Sequence, residues 1–557
     1  MTTTVSETGF RRQLNWFDAT LLVIGTMIGS GIFIVSADIA RDVGSAGWLL
    51  VVWSLTAMMT LLGAACYAEL AARLPWAGGQ YVYLREAWNP LCGFLYGWTC
   101  FLVIQTGSIA AVSVAFAKFL GVLVPALGID PDAGAYTFYD WPDFNRSLAI
   151  PLPWREEPWV LWQKQRYSIT AGHAVAVFVI VVLTAINCLG VREGKWVQNL
   201  FTVSKVVALL LLIVAGLILA VDPNAIAANF GDWWSGVFQT PRFQEVSQLV
   251  PWPSLAVIMV VIGAMVGALF AADAWNNITF TALEVQDPQR TLPRSLLSGV
   301  GFVMVIYILT NLVYLLALPV QADAELENYI RTAQQRIAEL TAAGRTADAQ
   351  ALQRQLEQRW RQATPYQRGL ARVLDDRVGT AVLERVSPRF GVAFMAVAIM
   401  ISTFGCVNGM TLMGARLYYA MAKDGLFFSI AGNLNRRGVP AAGLVLQGAW
   451  SALLVFSGTY SELLDFVIFA VLLFYALTVA GLFSIRRKHP EEPMFRVPGY
   501  PLLPMIYIAC CTLIMLDLLV VRPNYTWPGL FIVLTGVPVY YIWRLVSRSK
   551  STVGARL

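Results

Sequence analysis

Three groups of residues in this chain have types and spacings suited to chemistry in an apolar setting. The first is GTMIGSGIF (Gly25–Phe33), where Gly25, Gly29 and Gly31 interrupt the apolar run Leu21–Ala40. Glycine costs a helix about 1 kcal/mol relative to alanine, so unwinding is cheapest there. N–H groups freed at the start of the next half-helix, with the positive end of its dipole, suit a carboxylate. The same glycines also fit close helix packing through Gly25-xxx-Gly29. The second group is FAADAWNN (Phe270–Asn277), inside the apolar run Val260–Val285. An aspartate at bilayer depth costs about 2.5–3.5 kcal/mol, so Asp273 is a functional hypothesis by default. Freed carbonyls and the Asp273 carboxylate suit an ammonium group, with Ala271 and Asn276 beside them. Phe270 and Trp275 are bulky enough to close such a cavity, and ordinary packing is the competing reading. For Asp273 the competing readings are a buried ion pair or a neutral carboxyl group. The third is Lys205, about 12 Å into its apolar segment at 1.5 Å per residue. That depth turns it into the bundle, as a fixed cation replacing a metal ion, a proton carrier, or a tether for carbonyls of a broken helix.

The elements that must position these groups are membrane spans. The chain is 57% hydrophobic and 13% charged, against roughly 45–50% and about 25% in soluble domains. Apolar runs near 20–40, 47–72, 91–123, 171–189, 197–221, 255–285, 295–319, 390–420, 440–457, 462–485, 501–521 and 526–547 make about twelve spans of the required length. With an even number of spans and both termini on the cytoplasmic side, the cytoplasmic segments hold most of the lysine and arginine. These include Arg11, Arg73, Arg85, Lys195, Arg294, Lys423, Arg437, Arg487 and Arg548, whereas short outer loops hold little beyond Arg41 and Arg522. That asymmetry sets the orientation, in a plasma or inner membrane, and accounts for the net charge of +6 without nucleic acid. The polar start MTTTVSETGF has no cleavage signal, so the first span reads as an uncleaved anchor. All seven cysteines fall in or beside spans without metal-type spacing, which argues against a disulfide framework or a metal site.

Two broken spans, one near the start of each half, point to inverted repeats with a site between them, the pattern of a secondary transporter. The expected organisation is a cytoplasmic N-terminus (1–19), a first repeat of five helices (20–221) with a long outer loop (124–170), and a second repeat (255–485). Two further helices (501–547) and a cytoplasmic C-terminus (548–557) follow. The loop 124–170 is rich in Pro, Trp and Asp and reads as irregular. The insertion 321–388 reads as a helical hairpin about Gly344, with Ile330, Ala333, Ile337 and Leu340 on one face and Leu352, Leu356 and Trp360 on the other helix. Glu69, Lys118, Glu284, Arg416, Asp465 and Asp517 sit near span ends, within reach of an interface. No nucleotide-binding, hydrolase or paired-histidine motif is present, so the sequence supports no enzyme.

The segments Gly25–Phe33, Cys66–Trp98, Gly190–Lys205, Ala268–Leu296, Met400–Phe427 and Phe495–Pro504 together resemble the amino acid–polyamine–organocation superfamily. Their order is most similar to the L-type amino acid transporter branch and its bacterial relatives, over nearly the whole chain except the two long loops. The resemblance implies an all-α LeuT-type fold of 5+5 inverted repeats, with discontinuous helices 1 and 6. It implies that amides of Ile28, Gly29, Ser30 and Gly31 bind a substrate carboxylate. Carbonyls of Met27, Phe270 and Asp273 would meet the amino group, with Phe270 as gate. Lys205 would occupy the place of a sodium ion, whose oxygen ligands would otherwise include Ser402 and Thr403. The side-chain pocket would draw on the third, eighth and tenth spans, where Ser108, Asn408 and Phe469 are candidates. The implied activity is movement of amino acids, sodium-independent, by exchange or proton coupling, without a cofactor. The rivals are an amine or polyamine carrier and an amino-acid-sensing membrane receptor. Two departures stand out. Asp273 replaces the small residue usual in the L-type branch. The loop 124–170 lacks the cysteine through which animal members join a glycoprotein heavy chain, so no disulfide-linked partner is expected.

Overall fold

A computed structural model describes residues 10–141, 144, 146–150, 159–164, 166–457, 460–521 and 523–554. The polar start up to Gly9, Arg522, the last three residues and the side chain of Asp465 lie outside that description. Among the described residues, ten helices are long and apolar enough to cross a membrane. The pair Trp16–Met27 and Gly31–Val43, bent by 41° at its break, adds another span. The short apolar helix Ala441–Leu454 takes the ninth place in the order.

Local sequence explains where many helices begin. Asn15 caps the first one, accepting from the Asp18 amide at 2.9 Å while Asp18 accepts from the Asn15 amide at 3.1 Å. Pro90, Pro253, Pro288 and Pro388 open the third, sixth, seventh and eighth spans, where a missing N–H costs nothing. The sixth span is also broken: Pro253–Ala271 is α-helical and Trp275–Glu284 is a tighter 3₁₀ stretch. Between them Ala274 adopts a left-handed φ of 64°.

The two broken spans enter the middle of the bundle from opposite ends. Trp16–Met27 rises from the end carrying the arginine-rich loops, and Pro253–Ala271 descends from the end carrying the insertion. The second half of the first span packs on the first half of the sixth. The seventh span (Pro288–Ala317) lies along the first and second, and the eighth (Pro388–Lys423) touches the first, third and fifth. This is the inverted-repeat arrangement of a LeuT-type fold, all-α through the membrane.

Two expectations need correction. The described part of 124–170 is not irregular: Thr137–Trp141 pairs with Tyr167–Thr170, and Arg146–Ile150 with Trp159–Lys164, both antiparallel. The aromatic and β-branched residues there fit a pleated ladder. Glu284 and Arg416 do not reach an interface either. They pair at 2.9 Å with side chains 1% exposed, joining the end of the sixth span to the eighth. Glu69 is likewise enclosed by Arg73, Arg486 and the Val497 amide.

At the insertion, helices Ala324–Ala342 and Thr346–Gln362 pack together, with Gly344 at φ 72° between them. Leu326, Ile330, Ala333 and Leu356 form a small core of their own, separate from that of the bundle. Replacing residues 325–362 by a short Gly/Ser linker is therefore expected to leave the bundle folded, shifting its melting by no more than about 1 kcal/mol. Thermal unfolding of the purified variant checks this. A collapse of melting would show that the hairpin braces the bundle.

Candidate functional site

The two breaks meet at one small chamber. Met27, Gly29, Ser30, Gly31, Phe270, Ala271 and Asp273 all line it, together with Ser108 of the third span and Cys406 and Met410 of the eighth. On one side stands the start of Gly31–Val43. Among the described residues, the amides of Gly29, Gly31 and Ile32 meet no acceptor. Three free donors at the positive end of a half-helix make an anion cradle. On the other side, Met27 and Ala271 end the half-helices Trp16–Met27 and Pro253–Ala271, so their carbonyls carry the negative ends of two dipoles. An anion cradle facing a carbonyl cluster fits a zwitterion.

A second small chamber adjoins it, sharing Ser108, Asp273, Ala274 and Met410. Its wall is polar. Asn276 donates to Gln80 at 2.8 Å, Asn277 donates to Gln105 at 3.3 Å, and Gln105 donates to the Met410 carbonyl at 2.7 Å. Asp273 stands between the chambers and accepts a 2.5 Å hydrogen bond from Tyr475. Sequence alone does not mark Gln80, Gln105 or Tyr475 as part of this site. For Gln105 and Tyr475 the signal is a polar side chain deep in an apolar span, weaker than a charge or a glycine cluster, whereas Gln80 opens the short helix Gln80–Ala87 between the second and third spans.

Behind the first break, Lys205 is buried and donates to the carbonyls of Gly25 at 2.5 Å, Ile28 at 2.7 Å and Ser402 at 3.3 Å. An ammonium has three N–H donors, and each finds a carbonyl here. Ser402 belongs to the same cluster, donating its hydroxyl to Ile28 at 3.1 Å and Gly29 at 2.8 Å.

Four expected site residues are placed otherwise. The Ile28 amide stays in the last turn of its helix, bonded to Ile24 at 3.0 Å, so it offers no donor to the chamber. Trp275 is packed between Tyr67 and Tyr475 and lines neither chamber, because its ring follows the 3₁₀ turn into the core. Asn408 faces away, bonding Asn187, Gln198 and the Gly194 carbonyl between the fourth, fifth and eighth spans. Thr403 turns its hydroxyl onto its own helix, to Ile399 at 2.8 Å. Of the two readings open for the glycines, the contacts of Gly25 and Gly31 fit close packing. None of Gly25, Gly29 and Gly31 has a positive φ. Gly31 instead lets the breaks touch, since a Cβ there would lie 2.5 Å from the Ala271 Cβ. Gly25 meets Gln198 and Thr202 of the fifth span, so close packing accounts for it.

Paired broken helices around a chamber inside a bundle of inverted repeats define a membrane transporter. Residues 14–344 and 369–542 match the family model described as amino acid permease, and the chain belongs to that family. It is 26% identical to the b(0,+)-type amino acid transporter 1 of Mus musculus, over 97% of this chain and 90% of that protein. It is also 26% identical to the large neutral amino acids transporter small subunit 2 of Oryctolagus cuniculus, over 96% of this chain and 80% of that protein. The Homo sapiens protein of the latter name matches to the same extent. The unmatched residues 345–368 cover the second helix of the insertion hairpin.

Proposed function

We propose that this chain carries amino acids across a plasma or inner membrane by alternating access, without sodium and by exchange, with both termini cytoplasmic. The observation that carries the reading is the free-amide cradle of Gly29, Gly31 and Ile32 facing the carbonyl ends of Met27 and Ala271 across one chamber. In this reading the substrate carboxylate sits on the amides. Its ammonium meets the carbonyls of Met27 and Ala271 together with those of Phe270 and Asp273, and Phe270 is the lid. The half-helix that must move to open the basic end is latched by Asp18, which pairs with Lys195 at 2.9 Å and accepts from Asn199 at 2.9 Å. The absence of cysteine from 124–170 supports function without a disulfide-linked partner. Counterflow of labelled amino acid in proteoliposomes tests the reading: accumulation against unlabelled internal substrate is expected. Binding without counterflow would make the protein a sensor.

A second reading, an amine or polyamine carrier, draws on Asp273, which lines both chambers. Asp273→Asn separates the two. If the carboxylate serves the α-ammonium, every substrate is expected to weaken by about 1.5 kcal/mol or more, as for a lost charge-assisted hydrogen bond. If it serves a cationic side chain reaching the polar chamber, cationic substrates alone lose affinity and neutral amino acids keep theirs. Unchanged uptake of both classes would leave Asp273 a structural partner of Tyr475.

A further inference from the structure

The residue that ties the two breaks together lies outside the chamber. The seventh span runs along the first on both sides of its break. Toward the basic end, Ser298 and Thr20 hydroxyls are 3.4 Å apart, and Gly299 admits Val23 so closely that a Cβ there would lie 2.7 Å from its methyl group. Past the break, Ser36 donates to Asn311 at 2.6 Å and Tyr314 donates to the Ile32 carbonyl at 3.3 Å. Between these contacts stands Tyr307, on the same helix face as Asn311 and Tyr314 by its spacing of four and seven. Its hydroxyl oxygen is 3.1 Å from the Met27 carbonyl and 3.1 Å from the Ala271 carbonyl. Its ring is fully buried, edge-on to Trp53 at 5.5 Å.

Met27 and Ala271 end two half-helices whose negative dipole ends converge. Carbonyls so placed repel one another and lack intrahelical donors. One hydroxyl proton shared between them answers both conditions. It also limits their separation, since the two oxygens can lie no farther apart than twice the measured distance. Both residues line the first chamber, and Tyr307 does not. A carbonyl oxygen has two lone pairs, so one can face Tyr307 while the other faces the chamber.

We propose that Tyr307 is a positioning residue for the substrate ammonium. It holds the ends of the two half-helices in the register a cation in the first chamber needs, and it couples the half-helix entering from one membrane face to the half-helix entering from the other. The inference rests on the reading of that chamber as an amino acid site.

The test compares a neutral amino acid with its 2-hydroxy acid analogue, which keeps the carboxylate and lacks the ammonium. Both are measured as competitors of labelled amino acid uptake in proteoliposomes. Tyr307→Phe is expected to weaken the amino acid by about tenfold or more and the hydroxy acid by less than about threefold, narrowing the gap between them. Tyr307→4-aminophenylalanine, which keeps a donor at the same reach, is expected to restore the wild-type gap. Equal losses for both ligands, or no loss for the amino acid, would overturn the inference. Should Tyr307→Phe not fold, Tyr307→4-aminophenylalanine against Tyr307→4-methylphenylalanine carries the same comparison at matched size. Failure of any amino acid to compete in the wild-type protein would defeat the chamber reading itself, a result distinct from a Tyr307→Phe variant that behaves like wild type.

Discussion

Lys205→Ala is expected to stop uptake, while wild-type uptake is the same in choline as in sodium. The ammonium is the shared partner of three carbonyls, those of Gly25 before the break, Ile28 within it and Ser402 on the eighth span. Alanine leaves all three without that donor in a buried setting. A hydrogen bond to a charged group is worth about 1.5–3 kcal/mol, so losing even one costs roughly one to two orders of magnitude. The cost falls on the break that shapes the carboxylate cradle, so binding fails before global stability does. Sodium has little left to bind here. The Ser402 hydroxyl donates to Ile28 and Gly29, the Thr403 hydroxyl donates to its own helix, and a positive charge already fills the space. Proteoliposome uptake with and without sodium, on wild type and Lys205→Ala, checks both points, and a thermal melt of the variant separates lost function from lost fold. Strict sodium dependence would overturn the assignment of Lys205. A response to a pH step that disappears in Lys205→Ala would assign it proton carrying.

Gly31→Val is expected to abolish substrate binding through the contact between the two broken spans. A Cβ at Gly31 would stand 2.5 Å from the Ala271 Cβ and 2.9 Å from its Cα. No flexible side chain can yield there, because the neighbour is the end of a half-helix. Overpacking of this kind costs about 1–3 kcal/mol in stability and moves backbone. Here the moved backbone carries the Ala271 carbonyl on one side and the free amides on the other, so both halves of the proposed zwitterion site are expected to separate. Gly29→Ala is the milder comparison at the same chamber: its added carbon would meet only Cys406, at 3.4 Å from Sγ and 3.9 Å from Cβ, an ordinary contact. A thermal-shift assay reads the difference. Millimolar ligand above a micromolar Kd stabilises the wild-type protein by roughly 4 kcal/mol, and Gly31→Val is expected to show no such gain. Wild-type affinity in Gly31→Val would move the site elsewhere.

Much of the architecture was legible in the chain because its causes are local. A run of about twenty apolar residues has to cross the membrane as a helix, whatever its neighbours are. Glycines and an aspartate inside such runs mark breaks for the same reason. The hairpin at 324–362 could be read from its apolar faces and Gly344, and the arginine-rich loops share one end of the bundle. These features marked, from sequence alone, about twelve apolar spans and the two that are broken.

Tertiary structure decided which atom of each residue faces the chamber. The rotation of each helix against partners hundreds of residues away set this, and no local pattern records it. Asn408 turns to Asn187 and Gln198, Thr403 turns to its own backbone, and Ile28 keeps its amide in the helix while lending its carbonyl to Lys205. Gly25 and Gly31 act through the space they leave for Gln198, Thr202 and Ala271. Tyr307 reads in sequence as one more core aromatic, yet it joins the ends of two half-helices. A buried polar atom takes whichever partner the packing brings within about 3 Å, and it is helix packing across the whole bundle that supplies the partner.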